Sequence, residues 1–389
     1  MRRNITAGID IGTSAIRVVL FESTNDSPLP KIIGSASFPS EGMRLGYVVD
    51  TQKVAGIIKK TVAEASKAAQ VKIKRAYLTV GGVSLEGTLS AGSAIISRAD
   101  KEVTALDIAK AVSESEELLN LQNKKVLQNI PLNYKLDGKE VYGKAEGMKG
   151  AKIEVRSLFI TIQRQHLDDM ITALGMAGIE ILDITPSPLS ESTLLLSEKQ
   201  RAAGCALVDI GAETVIVSLF ENGTLMSLQS FPIGGLDITK DIALGLKISL
   251  DEAEGVKVGT LVGDFSKKKV DEIIYARLGD IFELVENHLK RQKRSGLLPG
   301  GIILTGGGSQ IHQIEVIAKE YLRLPARVGP TDIQIPTLFK IRDESWYAVT
   351  GVVIKNIGGD TNATLETSLG DNVKSLKTFC KSFFSQLLP

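Results

Sequence analysis

Residues 5–22 read ITAGIDIGTSAIRVVLFE, and residues 204–220 read GCALVDIGAETVIVSLF. Each is an apolar run ending in Asp-Ile-Gly, then a short polar turn, then a second apolar run. Each therefore predicts two antiparallel strands around a tight turn. Gly12 and Gly211 let the turn tighten and bring backbone N–H groups close to an anion. Thr13, Ser14 and Thr214 add hydroxyl donors. Asp10 and Asp209 repel a phosphate directly, so carboxylates at these positions make sense with Mg2+ and its waters between them and the phosphates. A single Asp-x-Gly turn is commonly structural. Two copies at corresponding places predict two paired halves with a ligand cleft between them.

Working outward, residues 31–38 read as a third strand of the first meander. Residues 50–69 read as a helix, with Val54, Ile57, Ile58, Val62 and Ala65 on one face and Asp50 or Thr51 as cap. Residues 75–80 return as a strand ending at Gly81-Gly82. From 84 to 162 the pattern changes to strands at 87–97, 125–134 and 151–162 with one helix near 104–119, a small α+β insert. Helix at 165–177, strand at 179–184 and helix at 188–198 complete the first half. After the second hairpin come a strand at 223–231, helices near 235–246, 250–258 and 269–292, a strand at 300–305 and a helix at 309–323.

The last strand runs into Leu304-Thr305-Gly306-Gly307-Gly308-Ser309. Three glycines let backbone approach a flat ligand, and a following helix N-terminus adds positive potential. On the helix at 250–258, Glu254 and Lys257 share a face. The residues alone leave two readings, a ribose and adenine contact or a surface ion pair.

Composition narrows the class. At 389 residues the chain is too long for one ordinary core. Its 43% hydrophobic and 23% charged residues are those of a water-soluble globular protein. A net charge of +1 gives no whole-molecule field for nucleic acid. Two distant cysteines, Cys205 and Cys380, form no disulfide framework and suggest a reducing cytoplasm, and three scattered histidines assemble no zinc site. The N-terminus has no signal-peptide core, and no stretch approaches the roughly 20 apolar residues of a membrane span.

Three motifs, in order, resemble the phosphate-1, phosphate-2 and adenosine motifs of the actin/Hsp70/sugar-kinase superfamily. They are Gly8-Ile9-Asp10-Ile11-Gly12-Thr13-Ser14, Val208-Asp209-Ile210-Gly211-Ala212-Glu213-Thr214 and Leu304-Thr305-Gly306-Gly307-Gly308. Phe231-Pro232-Ile233-Gly234-Gly235, Ala253-Glu254-x-x-Lys257, residues 126–134 (VLQNIPLNY) and Gly147-Met148-Lys149-Gly150 narrow the resemblance to the bacterial cell-division family FtsA. The resemblance covers nearly all of residues 4–356. It implies a two-lobed, actin-like (ribonuclease H-like) α/β fold with a central nucleotide cleft and a small inserted α+β subdomain. The implied cofactors are ATP and Mg2+, with Asp10 and Asp209 reaching the metal through water. The implied nucleotide contacts are Asp10, Gly12, Thr13, Ser14, Arg17, Asp209, Gly211, Thr214, Gly234, Gly235, Glu254, Lys257, Gly306, Gly307 and Gly308. It also implies division into 1–83 (first part of subdomain 1A), 84–163 (inserted subdomain 1C), 164–200 (the rest of lobe 1), 201–235 (first part of 2A), 236–298 (2B) and 299–357 (the rest of lobe 2 and the return to lobe 1).

The chain departs from the family pattern in three places. Ser187 stands where many superfamily ATPases place a water-positioning Glu or Gln, so at most slow hydrolysis is expected; Asp10, Asp209 and the nearby Glu191 are the candidate catalytic carboxylates. Ala15 stands in place of a common Lys, with Arg17 two residues on as the available cation. Ala212-Glu213 replaces a usual Gly-Gly pair, and Glu213 beside phosphates is unfavourable unless it faces away or meets the metal.

Residues 358–373 are polar and read as a flexible linker. Residues 374–389 then place Leu376, Phe379, Cys380, Phe383, Phe384, Leu387 and Leu388 on one helical stripe, with Lys374, Lys377 and Lys381 off it. That pattern suits a helix lying in the headgroups of an anionic membrane, with Leu376, Lys377, Phe379, Lys381, Phe383, Phe384, Leu387 and Leu388 as contacts. The resemblance then implies a filament-forming protein on the cytoplasmic face of the membrane at the division site, tethering FtsZ and recruiting later division proteins. Two alternatives are a pilus-assembly scaffold of the PilM type and, further off, a small-molecule kinase of the same superfamily.

Overall fold

The computed structural model describes residues 4–23, 30–261, 265–330 and 343–357, with helical backbone continuing to Thr361. The membrane-contact candidates Leu376, Lys377, Phe379, Lys381, Phe383, Phe384, Leu387 and Leu388 lie outside the described residues.

The first half opens with β1 (Asn4–Ile11), β2 (Ala15–Ser23) and β3 (Lys31–Pro39), then a small hairpin of β4 (Met43–Arg44) and β5 (Tyr47–Val48) that the sequence reading passed over. Helix α1 (Thr51–Ala69) starts where Asp50 accepts a hydrogen bond from the Lys53 N–H and stops at Gln70 in the left-handed region. Its Val54, Ile58, Val62 and Ala65 repeat at helical spacing and are buried against the sheet. Each of the valine and isoleucine side chains contributes about 1.5–3 kcal/mol on full burial. Strand β6 (Arg75–Val80) runs parallel to β1.

The insert follows, with β7 (Glu86–Ile95), α2 (Ala105–Glu117), β8 (Lys124–Leu136), β9 (Lys139–Val141) and β10 (Lys152–Gln163). Its sheet has the order β7-β10-β8-β9, and Ile96, Val103, Ala111, Leu136, Ala145, Ile153 and Val155 form a small core of its own. The chain returns through α3 (Arg164–Met176), β11 (Glu180–Pro186), α4 (Ser187–Leu195) and a short α5 (Glu198–Ala203). The helix expected at 188–198 ends at Leu195, and Ser197 caps a new one with a capping box.

The second half repeats the first: β12 (Cys205–Ile210), β13 (Val215–Glu221), β14 (Thr224–Phe231), α6 (Gly235–Leu246), α7 (Leu250–Lys257), α8 (Lys267–Arg291), β15 (Ile302–Thr305), α9 (Ile314–Leu322), β16 (Ala326–Val328) and α10 (Tyr347–Thr361). The helix expected at 309–323 starts five residues late. Residues Gly307–Gln310 form a 3-10 turn in which the Ser309 N–H and hydroxyl both donate to the Gly306 carbonyl, at 3.1 and 2.8 Å. Helix α10 extends into the polar stretch read as a linker.

The two large sheets have one topology. Their orders are β3-β2-β1-β6-β11 and β14-β13-β12-β15-β16, with the first three strands antiparallel and the last two parallel to the central one. Register repeats too: Asp10 pairs with Thr79 across the parallel ladder, and Asp209 with Thr305. Helices α4 and α10 pack together between the sheets, and Val19, Phe21, Ile216, Phe220, Val349 and Val352 share one core there. The lobes are thus joined by an apolar seam, and Asp10 and Asp209 sit at the ends of their central strands.

Candidate functional site

The first turn closes with the Gly12 N–H donating to the Ala15 carbonyl at 3.1 Å, the second with Gly211 donating to Thr214 at 2.8 Å. Around the first, the Ser40 hydroxyl donates to the Gly12 carbonyl at 2.6 Å, and the Ser40 N–H to the Ser14 carbonyl at 3.0 Å. Thr13 Oγ1 accepts from the Gly46 N–H at 3.0 Å and keeps its own proton to donate. Ser14 is exposed.

Asp10 and Asp209 sit at the ends of the two central strands, near enough to act on each other. Burial raises the Asp10 carboxyl to about 6, with Arg17 pulling it back. Burial, then the charge of Asp10, raises Asp209 as well, again opposed by Arg17. Glu191 on α4 joins them: it is 2% exposed and its pKa is raised well above the ordinary carboxylate range by burial and then by Asp209 and Asp10. Its Oε2 has no hydrogen-bond partner among the described residues, nor has the buried Ser187 hydroxyl. The three carboxyls are therefore close enough to influence one another, and the cation that tempers Asp10 and Asp209 is Arg17. The Arg17 NH1 is 3.9 Å from Asp10 Oδ2, its Nε is buried without a hydrogen-bond partner among the described residues, and its guanidinium lies 6.0 Å from the Trp346 ring centre.

This donor set fits a cation-bridged polyphosphate. Carboxyls pushed up by burial, and at Asp209 and Glu191 by acidic neighbours as well, are stabilised in their charged form when a divalent cation arrives, and the Arg17 guanidinium suits phosphate oxygens. Among the described residues, no three His, Cys, Asp or Glu side chains gather closely enough to ligate a metal directly.

The glycines divide by role. Gly306 has φ +81°, and a Cβ there meets Asp209 Oδ1 at 2.2 Å; at Gly308 it meets Ile210 Cγ2 at 2.5 Å. Both pack the turn against β12. Gly307 is exposed with nothing within 4 Å of an added Cβ, so it is the member open to a ligand. At the start of α6, the Gly235 and Leu236 N–H groups donate to the Gly211 and Ala212 carbonyls at 2.9 and 2.7 Å, and Gly234 donates to Asp237 at 2.9 Å. The Gly235 and Leu236 donors clamp the second turn, and the Gly234 donor is taken by the cap of α6.

Lys257 Nζ lies 2.7 Å from Glu254 Oε2, 2.8 Å from Thr239 Oγ1 and 3.1 Å from the Gly235 carbonyl. An added Gly235 Cβ would lie 3.7 Å from Gly308 Cα and 3.8 Å from Lys257 Nζ, so this cluster adjoins the glycine turn. The Lys257 side chain is 10% exposed and that of Glu254 46%, which is not the geometry of a free surface pair.

Glu213 is turned to the first lobe. Its Oε2 accepts from the Leu45 N–H of the first lobe at 2.5 Å. Sequence reasoning missed this contact, and also Thr79, Trp346 and His166. Thr79 had a signal: Leu78-Thr79-Val80-Gly81-Gly82 echoes Leu304-Thr305-Gly306-Gly307-Gly308.

Residues 206–351 match the family model described as cell division protein FtsA, and residues 82–161 match the SHS2 domain inserted in FtsA. The chain is 30% identical over 368 residues to the cell division protein FtsA of Bacillus subtilis (strain 168), covering 89% of this chain and 82% of that protein. With FtsA of Escherichia coli (strain K12), identity is 25% over 419 residues, covering 98% and 99% of the two chains. The fold is similar to that of the PilM-PilN type IV pilus biogenesis complex, with a TM-score of 0.68, 18% identity and coverage of 90% of this chain and 98% of that one. It is also similar to MreB5 of Spiroplasma citri bound to ADP, with a TM-score of 0.50, 12% identity and coverage of 94% and 99%. The fold is actin-like, with the inserted subdomain in the first lobe, and the chain belongs to the FtsA family of cell division proteins.

Proposed function

We propose that this chain binds ATP with Mg2+ between its lobes, assembles into filaments, and tethers FtsZ to the cytoplasmic membrane through residues 374–389. The observation that carries the nucleotide part is the nearness of the buried Asp10, Asp209 and Glu191 to one another beside the two glycine turns, with Arg17 3.9 Å from Asp10. Membership of the FtsA family supports the cell-division part. Thr13, Ser14 and Arg17 hold phosphates from the first lobe, and Gly211 and Thr214 from the second. Gly307, with Lys257 and Glu254 nearby, takes the nucleoside. Mg2+ supplies the positive charge that lets Asp10 and Asp209 face phosphate oxygens. Glu191 is the carboxylate placed to orient a water in place of Ser187, and hydrolysis is slow. The pilus-scaffold reading has fold similarity alone behind it, and the kinase reading lacks an identified second-substrate carboxylate.

Among the described residues, no helix is long and apolar enough to cross a membrane. Attachment by short amphipathic tails is weak singly and strong when many sit on one filament. The test is sedimentation of the full chain with anionic liposomes, with and without ATP-Mg2+ and FtsZ, beside a chain lacking 374–389. Liposome-dependent pelleting that brings FtsZ down and vanishes with the tail supports the reading. Equal pelleting of both chains sinks the membrane part.

A further inference from the structure

The turn between β4 and β5 touches both phosphate turns and yet belongs to neither. Its central residues, Leu45 and Gly46, both have positive φ, 52° and 87°, the backbone of a type I′ hairpin. Glycine is at home there. Leucine is not, and a bulky side chain in the left-handed region persists only where its surroundings fix it.

The surroundings are identifiable. The Gly46 N–H donates to Thr13 of the first phosphate turn at 3.0 Å, and the Leu45 N–H donates to Glu213 of the second at 2.5 Å. The Leu45 carbonyl accepts from the Val83 N–H at 3.1 Å. The Gly46 carbonyl meets His166 Nε2 at 2.6 Å, the opposite ring nitrogen meets Ser84 Oγ at 2.6 Å, and the ring stacks on Tyr47 with centroids 4.4 Å apart. His166 is fully buried, on the first turn of α3. Apart from the Glu213 bond, every one of these contacts lies within the first lobe. The hairpin is therefore a fixed post of lobe 1, and Glu213 is an arm of lobe 2 that reaches it.

We infer that Glu213 is an interlobe clasp, a positioning residue that holds the second phosphate turn against the Leu45–Gly46 post and so sets how readily the cleft opens to release nucleotide. This rests on the nucleotide reading for its consequence, though not for the contact itself. The carboxylate aligns the two turns when it is engaged, and lobe opening breaks one charge-assisted bond. A glycine pair at 212–213 has no side chain to make it.

The test compares the full chain with Glu213→Ala and Glu213→Gln. Hydrogen–deuterium exchange without nucleotide reads the Leu45 amide and the 211–214 turn. Glu213→Ala is expected to speed exchange at both while leaving peptides around His166 unchanged, and Glu213→Gln, which keeps an acceptor oxygen, is expected to stay near wild type. Stopped-flow release of fluorescent ADP is expected to be about ten- to a hundredfold faster in Glu213→Ala, the range set by a hydrogen bond to a charged group. Unchanged exchange at Leu45 in Glu213→Ala overturns the clasp. Faster exchange with unchanged release overturns its control of the cleft. Wild-type protein that binds no nucleotide sinks the nucleotide reading and with it the release consequence, while the exchange result still decides the contact.

Discussion

The hairpins β1–β2 and β12–β13 are near copies in sequence and topology, but they are held by different means. Asp10 pairs across its antiparallel ladder with Arg17, whereas Asp209 pairs with Ile216. The first turn is fastened by side chains and a neighbouring hairpin of its own lobe, through Ser40 and Gly46. The second is clamped by backbone donors at the start of α6 and extends Glu213 to the other lobe. One lobe thus provides the cation and two of the three buried carboxyls, Asp10 and Glu191, while the other provides Asp209 and the Glu213 arm. A repeated fold leaves the anchoring of each copy free to diverge, because the strands carry the stability and the turns carry the chemistry.

The comparison breaks most readily at the glycine run behind Asp209. Gly306→Ala forces a Cβ into the Asp209 carboxyl at a positive φ, and we expect a loss of about 3 kcal/mol of stability in chemical denaturation. Gly307→Ala, at the next residue and in open space, should leave stability unchanged. Equal effects of the two would refute the division of roles among these glycines.

Making the first hairpin resemble the second is the next test. Arg17→Ile removes the cation beside Asp10, and ATP-Mg2+ affinity should fall by about 1.5–3 kcal/mol, tenfold or more by calorimetry. Unaltered affinity would mean that Arg17 serves only the apo cleft.

The buried carboxyls predict a pH dependence. A folded-state pKa raised above the ordinary value favours the protonated form, so its contribution to stability is full below about pH 4 and is lost as pH rises through about 6 for Asp10. Asp209 is shifted in the same direction. Nucleotide-free protein should therefore lose stability across that window, and Asp10→Asn should flatten the thermal-melt profile there. A wild-type profile that rises over the window would contradict the buried-carboxyl account. The smallest effect belongs to Ser40→Ala, which removes the hydroxyl bond to the Gly12 carbonyl and should cost about 1 kcal/mol, read from denaturation midpoints.

The fold was legible because it is written in long periodic segments. Both apolar hairpins, the α1 face and the insert's change of pattern follow from local spacing. The candidate site was legible as a set of special turns where glycine and aspartate mark the backbone, at 10–14, 209–214 and 304–308. What escaped was created by distance in the chain. Leu45 and Glu213 meet across 168 residues, and no local pattern pairs a leucine N–H with a glutamate from the other lobe. The backbone contacts of Gly234 and Gly235 were hidden for a related reason: glycine announces close approach, but the sequence does not say that the 211–212 backbone is what approaches. At 309–313, helical spacing of Ile311 and Ile314 was outweighed by the 3-10 turn that Ser309 closes on Gly306.

The central claim is that both hairpins build one nucleotide site. Isothermal titration of ATP-Mg2+ into the full chain, beside Arg17→Ile and Asp209→Asn, tests it directly. The account predicts one nucleotide per chain in the wild type and a large loss of affinity from either substitution, one in each lobe. Absence of saturable binding, or binding that neither substitution weakens, would contradict it.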